Sequence, residues 1–376
     1  MFGEINGSNV YNLLSRVLNE KPDKIYYMFS NADAKMWIMP RENMRTAMNL
    51  YQPSGIKGKL MKRLFPYLKD IRLVRQKLGI KILNLQLDDK LQEMLKQSFA
   101  VNRFEFSVFG GTPSVHQKIT MQLNDGNNIL GYCKISDSED VRQMFHREQQ
   151  ILDYLKVKGV KSIPECLFCG DWENNIGIFV QTTLKTNQST ICHHWNHLHW
   201  KFLTDLVSAT KKELSFDQTD FCAALFHLSD NIGYLPDEAA AIVRHSLERL
   251  NAYYTGRHVV FSAYHADFTP WNMLVEKGEL FVFDFEYSQM TYPPYLDYFH
   301  FFTQSAIFEK HWNADKIYEE YLSRKNDLKV YMDQSDFFYQ CYLLDIIGRF
   351  LERDRGAFSR DVSACLLIWT KLLSRL

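Results

Sequence analysis

The segment Tyr264–Tyr287, YHADFTPWNMLVEKGELFVFDFEY, places carboxylate, amide and imidazole side chains between runs of Phe, Leu and Val. Its runs NMLV and LFVFDF are typical of short β-strands, and EKGE between them predicts a hairpin that turns at Lys277–Gly278. A hairpin brings its two ends together, so Asn272 and Asp284 are expected to be neighbours, with Asp267 in the loop that precedes them. This expected arrangement constrains the fold more than any other feature of the chain.

The expected cluster of oxygen-bearing side chains needs a counter-charge. Carboxylates held close together in apolar surroundings raise each other's pKa. Mg²⁺ relieves this repulsion, because it prefers oxygen ligands and is commonly held by one or two carboxylates together with substrate phosphates. The segment therefore predicts a magnesium site, with the apolar strands shaping it and excluding water.

The same residues match a known pattern. His265 to Asn272, HADFTPWN, fits H-x-D-x-x-x-x-N of the kinase catalytic loop, and Asp284-Phe285-Glu286 follows at the distance of the kinase metal motif. With D-F-E in place of D-F-G, and with Asp297 in PPYLDYFHF, this part of the chain resembles the aminoglycoside phosphotransferase/choline kinase family, which are small-molecule kinases of protein-kinase-like fold. The resemblance covers about residues 103–376.

This resemblance implies a role for each matched residue. Asp267 would be the catalytic base that accepts the proton of the substrate hydroxyl, and His265 would orient the loop. Asn272 and Asp284 would bind Mg²⁺, while Glu286 would either aid the metal or position the loop. The alternative is an unrelated hairpin with polar ends, which the joint match of spaced residues disfavours.

An independent feature precedes the hairpin. Three consecutive strands are predicted between about residues 103 and 136, followed by a helix to residue 156 that Ser136 and Glu139 would cap. Lys134 lies on the third strand, and Glu148 interrupts the apolar stripe of the helix. A carboxylate aimed at a core needs a partner, so an ion pair between Glu148 and Lys134 is predicted, as kinases require. The alternative is a glutamate at the edge of the stripe.

The resemblance also implies an ATP site. Adenine would bind to backbone groups after the fifth strand, at Gln181, Thr182, Thr183 and Leu184. The loop VFGGTPSVHQK departs from G-x-G-x-x-G, but Gly110 and Gly111 could still bring backbone N–H groups to the phosphates. The chain has no A-P-E motif, which argues against protein substrates.

Composition narrows the class of protein. The chain has 376 residues, 46% of them hydrophobic, with 44 Lys or Arg and 44 Asp or Glu, so overall charge argues neither for nor against nucleic acid. It has no apolar run of membrane-spanning length, and the start MFGEINGSNVYNLL lacks the regions of a signal peptide. Seven cysteines in a long chain indicate a reducing compartment. We expect a cytoplasmic protein, with peripheral membrane contact as an option.

We expect an α+β, two-lobed, protein-kinase-like fold. The predicted parts are an N-terminal extension of uncertain fold over residues 1–100, a β-rich N-lobe over 101–184 and an α-rich C-lobe over 185–376. The oligomeric state is open.

The extension contains a strongly basic segment. Residues 57–81 hold nine Lys or Arg and one acid, Asp70, and Pro66 is predicted to begin a helix there. One interpretation is a solvated helix face, and the other is contact with an anionic partner, such as a phosphorylated glycan or a membrane surface. Nucleic acid is not expected, because the segment lacks interleaved stacking aromatics.

Two further clusters of residues each allow a structural and a functional interpretation. In ICHHWNHLHW, His193 and His197 have the spacing of a zinc face on a helix, but a helix start with packed and exposed histidines, including His199, is favoured. Cys166 and Cys169 form one C-x-x-C without a second pair, which favours structural thiols.

The predicted activity is ATP- and Mg²⁺-dependent transfer of a phosphoryl group to a small-molecule hydroxyl. The segment WIMPRENMRTAMNLYQP resembles phosphotransferase-like proteins of bacterial surface-polysaccharide synthesis, which implies a sugar or glycan precursor as acceptor. Choline, ethanolamine or an aminoglycoside are alternative acceptors. A catalytically silent nucleotide-binding scaffold is the alternative from another class.

Overall fold

The computed structural model describes residues 9–53, 55–114, 116–173 and 175–376. MFGEINGS, the first part of the segment considered for a signal peptide, lies outside the described residues, as does Val115 of the predicted phosphate loop. Contacts divide the chain into two compact units. The first comprises the residues up to 153 together with 163–189, and the second comprises 154–162 together with 190–376.

The first unit is built on an antiparallel sheet. Its strands are β1 (Leu18–Ser30), β2 (Met36–Pro40), β3 (Lys81–Leu87), β4 (Glu105–Phe109), β5 (Ile119–Asp125), β6 (Asn128–Ser136), β7 (Cys166–Trp172) and β8 (Ile176–Thr182). They form one eight-stranded sheet in the order β3-β1-β2-β4-β5-β6-β8-β7. The helices described in this part of the chain are α1 (Asn9–Val17), α2 (Met44–Ala47), α3 (Ile56–Leu68), α4 (Arg72–Lys77), α5 (Asp89–Phe99) and α6 (Glu139–Val157).

Each face of this sheet is covered by its own apolar core. Along β1, Tyr26 and Met28 belong to a core that includes side chains of α1 and α5. The alternate residues Tyr27 and Phe29 belong to a second core with side chains of α2 and α3. Successive side chains of a strand point to opposite faces, so the two cores lie on opposite sides of the sheet.

The first hundred residues continue the sheet rather than forming a separate one. β2 pairs with β4 through Trp37↔Phe109 and Ile38↔Val108, so β1 and β2 belong to the same sheet as β4. The division into an extension and two lobes stays a prediction.

Two predicted helix starts are wrong. Pro66 lies near the end of α3 rather than at its first position. The helix begins at Ile56, and at Gly58 an added Cβ would come within 2.4 Å of Pro53 Cβ. The missing side chain therefore lets the loop pack tightly against the helix.

The second wrong start is the capping box at Ser136. Ser136 is the last residue of β6, paired with Gly177, and α6 begins only at Glu139. The Ser136 hydroxyl instead accepts a hydrogen bond from the Ser138 N–H at 3.2 Å. Ladder pairing in the sheet thus overrides the local capping signal.

The second unit is mainly helical. Its helices are α7 (His197–Thr210), α8 (Asp220–Asn231), α9 (Asp237–Tyr254), α10 (Leu296–Phe308), α11 (Ala314–Leu328), α12 (Ser335–Asp354) and α13 (Arg360–Leu373). Its strands are β9 (Lys212–Ser215), β10 (His258–Tyr264), β11 (Met273–Glu276), β12 (Glu279–Val282) and β13 (Gln289–Tyr292). Helix α10 is buried along almost its whole length, which makes it the central element of this unit.

The predicted hairpin is present as β11 and β12. Met273 pairs with Val282 and Glu276 with Glu279, and the turn residues Lys277 and Gly278 both have positive φ, at 51° and 81°. Such backbone angles are typical of the two-residue turns that match the twist of a hairpin. Among the described residues, none of the helices combines the length and the apolar character that crossing a membrane requires.

Candidate active site

The loop between β10 and β11 is held by a buried carboxylate from α10. Asp297 accepts hydrogen bonds from the backbone N–H groups of His265, at 2.9 Å, and of Ala266, at 3.1 Å. Ala266 has φ 68°, a left-handed conformation that costs energy for a residue with a side chain. The loop is therefore in a conformation that Asp297 stabilises, and burial raises the pKa of Asp297 to about 7 in spite of these two hydrogen bonds.

The His265 side chain ties the loop to the hairpin. Its Nε2 lies 3.1 Å from the Phe283 carbonyl oxygen, and its Nδ1 lies 3.2 Å from the Asp267 backbone nitrogen. Burial lowers the pKa of His265 to about 4, so the ring is neutral near pH 7. A neutral ring with its proton on Nε2 satisfies both contacts, since Nε2 then donates to the carbonyl and Nδ1 accepts from the amide. This arrangement accords with the predicted orienting role.

Asp267 is held at both carboxylate oxygens. The Asn272 amide donates to Oδ2 at 2.7 Å, and His300 Nε2 donates to Oδ1 at 3.2 Å. The side chain keeps 31% of its surface exposed, whereas that of His300 is 4% exposed. Desolvation raises the pKa of Asp267 to about 6, with a smaller contribution from the charge of Asp284. The carboxylate is thus positioned, reachable and still ionised at neutral pH.

His300 and Arg349 were missed by the sequence analysis. Arg349 Nη1 donates to the Ala266 carbonyl at 2.7 Å, and Nη2 lies 3.0 Å from Asp345 Oδ2. Tyr292 donates its hydroxyl to the other oxygen of Asp345 at 3.1 Å. The sequence pattern that could have indicated them is a polar side chain within an apolar helical segment. His300 interrupts LDYFHFF, and Arg349 follows Asp345 by one turn in LLDIIGRF.

The predicted metal ligands lie at one end of the hairpin. The Phe283 N–H donates to the Asn272 carbonyl at 3.0 Å, which places Asp284 beside Asn272 as the sequence predicted. Asp284 has φ 70°, and Glu286 is 7% exposed. Since the Asn272 amide nitrogen bonds Asp267, the Asn272 side-chain oxygen is the atom suited to a metal, and with the Asp284 and Glu286 carboxylates it forms an oxygen donor set that fits Mg²⁺. Their role as ligands stays a prediction.

In the first unit, the predicted pair of Lys134 and Glu148 is confirmed. Lys134 Nζ lies 2.9 Å and 2.7 Å from the two Glu148 oxygens, and the side chains are 5% and 0% exposed. β6 supplies the lysine and α6 the glutamate. Lys134 Nζ also lies 5.4 Å from the centre of the Phe179 ring on β8. A lysine fixed in this way has one orientation only, which suits a phosphate contact.

In the predicted phosphate loop, both backbone groups of Gly110 are hydrogen-bonded. The Gly110 N–H donates to the Met36 carbonyl at 2.9 Å, and the Gln117 side-chain amide donates to the Gly110 carbonyl at 2.9 Å. Gly111 has φ 80°, and a Cβ there would lie 2.3 Å from the Lys118 carbonyl oxygen. Glycine is therefore required at 111 by close backbone approach, whether or not the loop binds phosphate.

The predicted adenine segment begins with the last two residues of β8 and continues beyond the strand. The Thr182 N–H donates to the Glu165 carbonyl at 2.9 Å, and its hydroxyl accepts from the Glu165 N–H at 2.9 Å. The Thr183 hydroxyl accepts from the Lys185 N–H at 3.1 Å, and Gln181 pairs with Tyr132 in the sheet. Thr182 therefore uses its own N–H within the unit, and adenine contact at Gln181–Leu184 stays a prediction.

The histidine cluster begins a helix, as favoured. Asn196 caps α7 together with His199, and α7 starts at His197, so His193 does not share a helical face with His197. His193 instead lies 2.7 Å from a Glu309 oxygen.

The C-x-x-C cysteines both lie on β7. Desolvation, chiefly, raises the pKa of Cys166 to about 12 and that of Cys169 to about 11, which favours protonated, structural thiols.

Comparison with known proteins supports the fold. No protein-family profile and no curated protein matches the chain. A thermostable mutant of aminoglycoside phosphotransferase APH(4)-Ia superposes with a TM-score of 0.50 at 13% identity, over 76% of this chain and 98% of that one. The chain has the aminoglycoside phosphotransferase fold. This confirms the predicted protein-kinase-like fold class and the resemblance on which it was based.

Two other solved structures are similar to the chain. Choline kinase LicA from Streptococcus pneumoniae aligns at 15% identity over 77% of this chain and 100% of that one, with a TM-score of 0.49. Amicoumacin kinase hAmiN, in complex with AMP-PNP, Ca²⁺ and Ami, aligns at 14% identity over 69% and 85%, with a TM-score of 0.45.

Proposed function

We propose that this chain is a kinase that transfers a phosphoryl group from ATP to the hydroxyl of a small molecule, with Mg²⁺ as cofactor. The observation that carries the proposal is the Asp267 carboxylate, ionised and partly exposed, with one donor on each oxygen. A hairpin with polar ends and no reaction to perform has no need for that arrangement. The phosphotransferase fold supports the same conclusion.

In the proposed reaction, Asp267 is the proton acceptor. The acceptor oxygen attacks the γ-phosphorus, its new P–O bond forms as the bond to the β–γ bridging oxygen breaks, and ADP leaves. The proton of the hydroxyl passes to the Asp267 carboxylate. His300 and Asn272 act as positioning residues, since each fixes one carboxylate oxygen and leaves the exposed edge to the acceptor.

The nucleotide needs charge compensation. Asn272, Asp284 and Glu286 would hold Mg²⁺, which would offset the charge that develops on the phosphates. Lys134, kept in place by Glu148, binds the α- and β-phosphates, and Gly111 contributes its backbone N–H group, whereas that of Gly110 donates to the Met36 carbonyl. Catalysis then depends on positioning and on electrostatic stabilisation.

A sugar or glycan precursor is the proposed acceptor, on the resemblance of residues 37–53 to proteins of surface-polysaccharide synthesis. Similar structures leave other classes open, because one is described in a ternary complex with ADP and hygromycin B and another is a choline kinase. The proposed site of action is the cytoplasm, with contact between residues 57–81 and an anionic partner or a membrane surface.

The decisive experiment is ATP consumption by the purified chain, with and without Mg²⁺, across sugars, glycan precursors, choline, ethanolamine and aminoglycosides. One acceptor class should raise turnover, and Asp267→Asn should lower it by about 10²–10⁴-fold. Asp230→Asn, an exposed aspartate on α8, is the matched control and should be unchanged.

Two negative results have different meanings. A chain that binds Mg-ATP in a thermal-shift assay but turns over no acceptor in a broad panel supports the scaffold alternative. A chain that neither binds Mg-ATP nor consumes it contradicts the proposed function.

A further inference from the structure

The helices of the basic segment carry an unusual exposed surface. Nineteen large hydrophobic side chains are exposed among the described residues, and eight of them lie between residues 56 and 82. They are Ile56, Leu60, Leu64, Tyr67, Ile71, Leu73, Leu78 and Ile82. Scattered exposed hydrophobics are normal, whereas such a concentration marks an interaction surface. We call the exposed faces of residues 56–78 the α3–α4 surface.

Helix α3 has apolar residues on two opposite sides. Phe65, 2% exposed, packs into the core beside Tyr27 and anchors the helix. The spacing of Ile56, Leu60, Leu64 and Tyr67 places them on a single stripe about 100–180° away from Phe65. Their exposed fractions are 85%, 55%, 42% and 73%. One side of the helix therefore packs into the core of the unit, and the other side exposes hydrophobic groups to solvent.

Basic residues flank this stripe. Lys57, Lys59 and Arg63 are exposed on α3, next to the apolar positions. On the following helix, Leu73 is 77% exposed and is preceded by Arg72. Aliphatic side chains bordered by cations suit a partner with an apolar interior and a negatively charged outer layer.

The single acid of the segment does not offset this charge. Asp70 lies 2.9 Å from Arg41 Nε and 3.8 Å from Lys69 Nζ, and it accepts a hydrogen bond from the Tyr27 hydroxyl at 3.0 Å. Its negative charge is therefore matched by neighbours within the same unit. Residues 56–78 hold eight Lys or Arg against this one acid, so the α3–α4 surface carries a net positive charge.

We propose that the α3–α4 surface docks the protein onto an anionic lipid bilayer. Interfacial helices bury an apolar stripe at the boundary between headgroups and acyl chains while Lys and Arg contact the lipid phosphates. Each basic residue near an anionic membrane adds to the attraction, which decays within a Debye length. Helix α3, with 13 residues and about 20 Å in length, is anchored through Phe65 and can lie parallel to the membrane.

Other occupants fit the surface less well. A second copy of the chain would bring the eight basic residues of one α3–α4 surface against the eight of the other, and like charges across an interface repel. Nucleic acid would match the charge but would leave the exposed Leu and Ile side chains without partners, since single strands are bound by stacking on aromatic rings. A bilayer satisfies both the charge and the apolar stripe.

This inference rests on the proposed contact of residues 57–81 with an anionic partner, and it is independent of the phosphotransferase reaction. Its test is co-sedimentation of the full chain with vesicles of pure phosphatidylcholine and with vesicles that contain phosphatidylglycerol. Binding to the anionic vesicles is expected, weakened but not abolished by high salt. Binding to neither kind of vesicle, or equally to both, would overturn the inference.

Matched variants distinguish binding through the α3–α4 surface from non-specific binding to vesicles. Ile56→Glu/Tyr67→Glu should lower the vesicle affinity by at least about tenfold, because two apolar groups are lost and two negative charges are introduced. Val330→Glu/Leu367→Glu places the same charges at sites 82% and 70% exposed in the other unit and should leave binding unchanged. Equal losses in both double variants would contradict the assignment.

A depth measurement provides a second readout that needs no disruptive change. Tyr67→Trp should gain fluorescence quenching from brominated lipids, whereas Leu367→Trp should not. Quenching of neither variant, together with tight and salt-sensitive binding to an oligonucleotide, would assign the surface to nucleic acid instead and refute the membrane proposal.

Discussion

The Lys134–Glu148 pair and the Asp267 loop both fix a charged side chain, but over different distances along the chain. Lys134 and Glu148 are 14 residues apart on consecutive elements. The contacts that hold the Asp267 loop come from Asn272, Asp297, His300 and Arg349, at separations of 5, 32, 33 and 83 residues. The Lys134–Glu148 contact joins two consecutive elements, whereas the loop contacts couple the loop to the packing of α10 and α12. Substitutions in the pair should therefore mainly lower the free energy of unfolding, and substitutions around the loop should mainly lower the rate of turnover.

The largest expected effect follows from breaking the pair. Glu148→Leu leaves the Lys134 ammonium buried without this carboxylate, so the free energy of unfolding should fall by about 3–5 kcal/mol in urea denaturation. Lys134→Met/Glu148→Leu removes both charges and should recover most of that loss. The double variant should nevertheless lack Mg-ATP-dependent turnover. A double variant no more stable than the single one would contradict this role of the pair in stability.

The next effect concerns the carboxylate behind the loop. Asp297→Ala leaves the N–H groups of His265 and Ala266 without their acceptor, at about 1–3 kcal/mol for each unsatisfied donor. Both the thermal midpoint and kcat should fall. Asp297→Asn keeps one acceptor oxygen and should be intermediate in both measurements. If Asp297→Ala lost stability and kept full kcat, the loop conformation would not matter for turnover.

His300 tests positioning without a large change in stability. His300→Leu removes the donor to Asp267 Oδ1, and kcat should fall by about 10–100-fold, the usual range for residues that orient a functional group. KM for ATP should stay constant, because His300 does not touch the proposed nucleotide residues. His300→Gln can restore an N–H donor and should recover part of kcat. Equal losses in both variants would indicate a packing role instead.

The last effect concerns His199 on α7, whose ring centre lies 6.2 Å from that of Phe268 in the Asp267 loop. Desolvation lowers the pKa of His199 to about 4 in the folded chain, below its ordinary value of 6.5. Between pH 6.5 and 4 the unfolded chain binds a proton on His199 that the folded chain does not, so its contribution to stability is present above pH 6.5 and is lost as the pH falls.

Urea titrations of the wild type and His199→Gln at several pH values measure this loss. The stability difference between them should shift against the wild type by at most about 1.4 kcal/mol per pH unit across that window. A difference that does not change with pH would mean that His199 titrates normally when folded.

The comparison of the two regions also explains what the sequence could predict. The hairpin, its turn at Lys277–Gly278 and the Lys134–Glu148 pair follow from local patterns, since each depends on neighbouring elements. His300 and Arg349 approach the loop from helices distant along the chain, and a single sequence does not specify which turn of α10 or α12 faces it. Their only trace was polarity inside apolar helices.

The wrong predictions have a related cause. Ser136 carried a capping signal, but sheet pairing holds it in β6. Pro66 was expected to begin a helix, but α3 already starts at Ile56 because Gly58 allows close contact with Pro53. At Ser136 the boundary is decided by pairing with Gly177, which lies outside the local window. The same limitation hid the pairing of β2 with β4, which joins the first hundred residues to the sheet.

The most direct test of the account is ³¹P NMR of a reaction that contains Mg-ATP and the acceptor found in the turnover panel. This measurement separates phosphoryl transfer from simple ATP hydrolysis. The account predicts a new phosphomonoester signal that grows in step with ADP in the wild type and is almost absent with Asp267→Asn. Release of inorganic phosphate without a phosphorylated acceptor, or equal product from Asp267→Asn, would contradict the central claim that Asp267 activates a substrate hydroxyl.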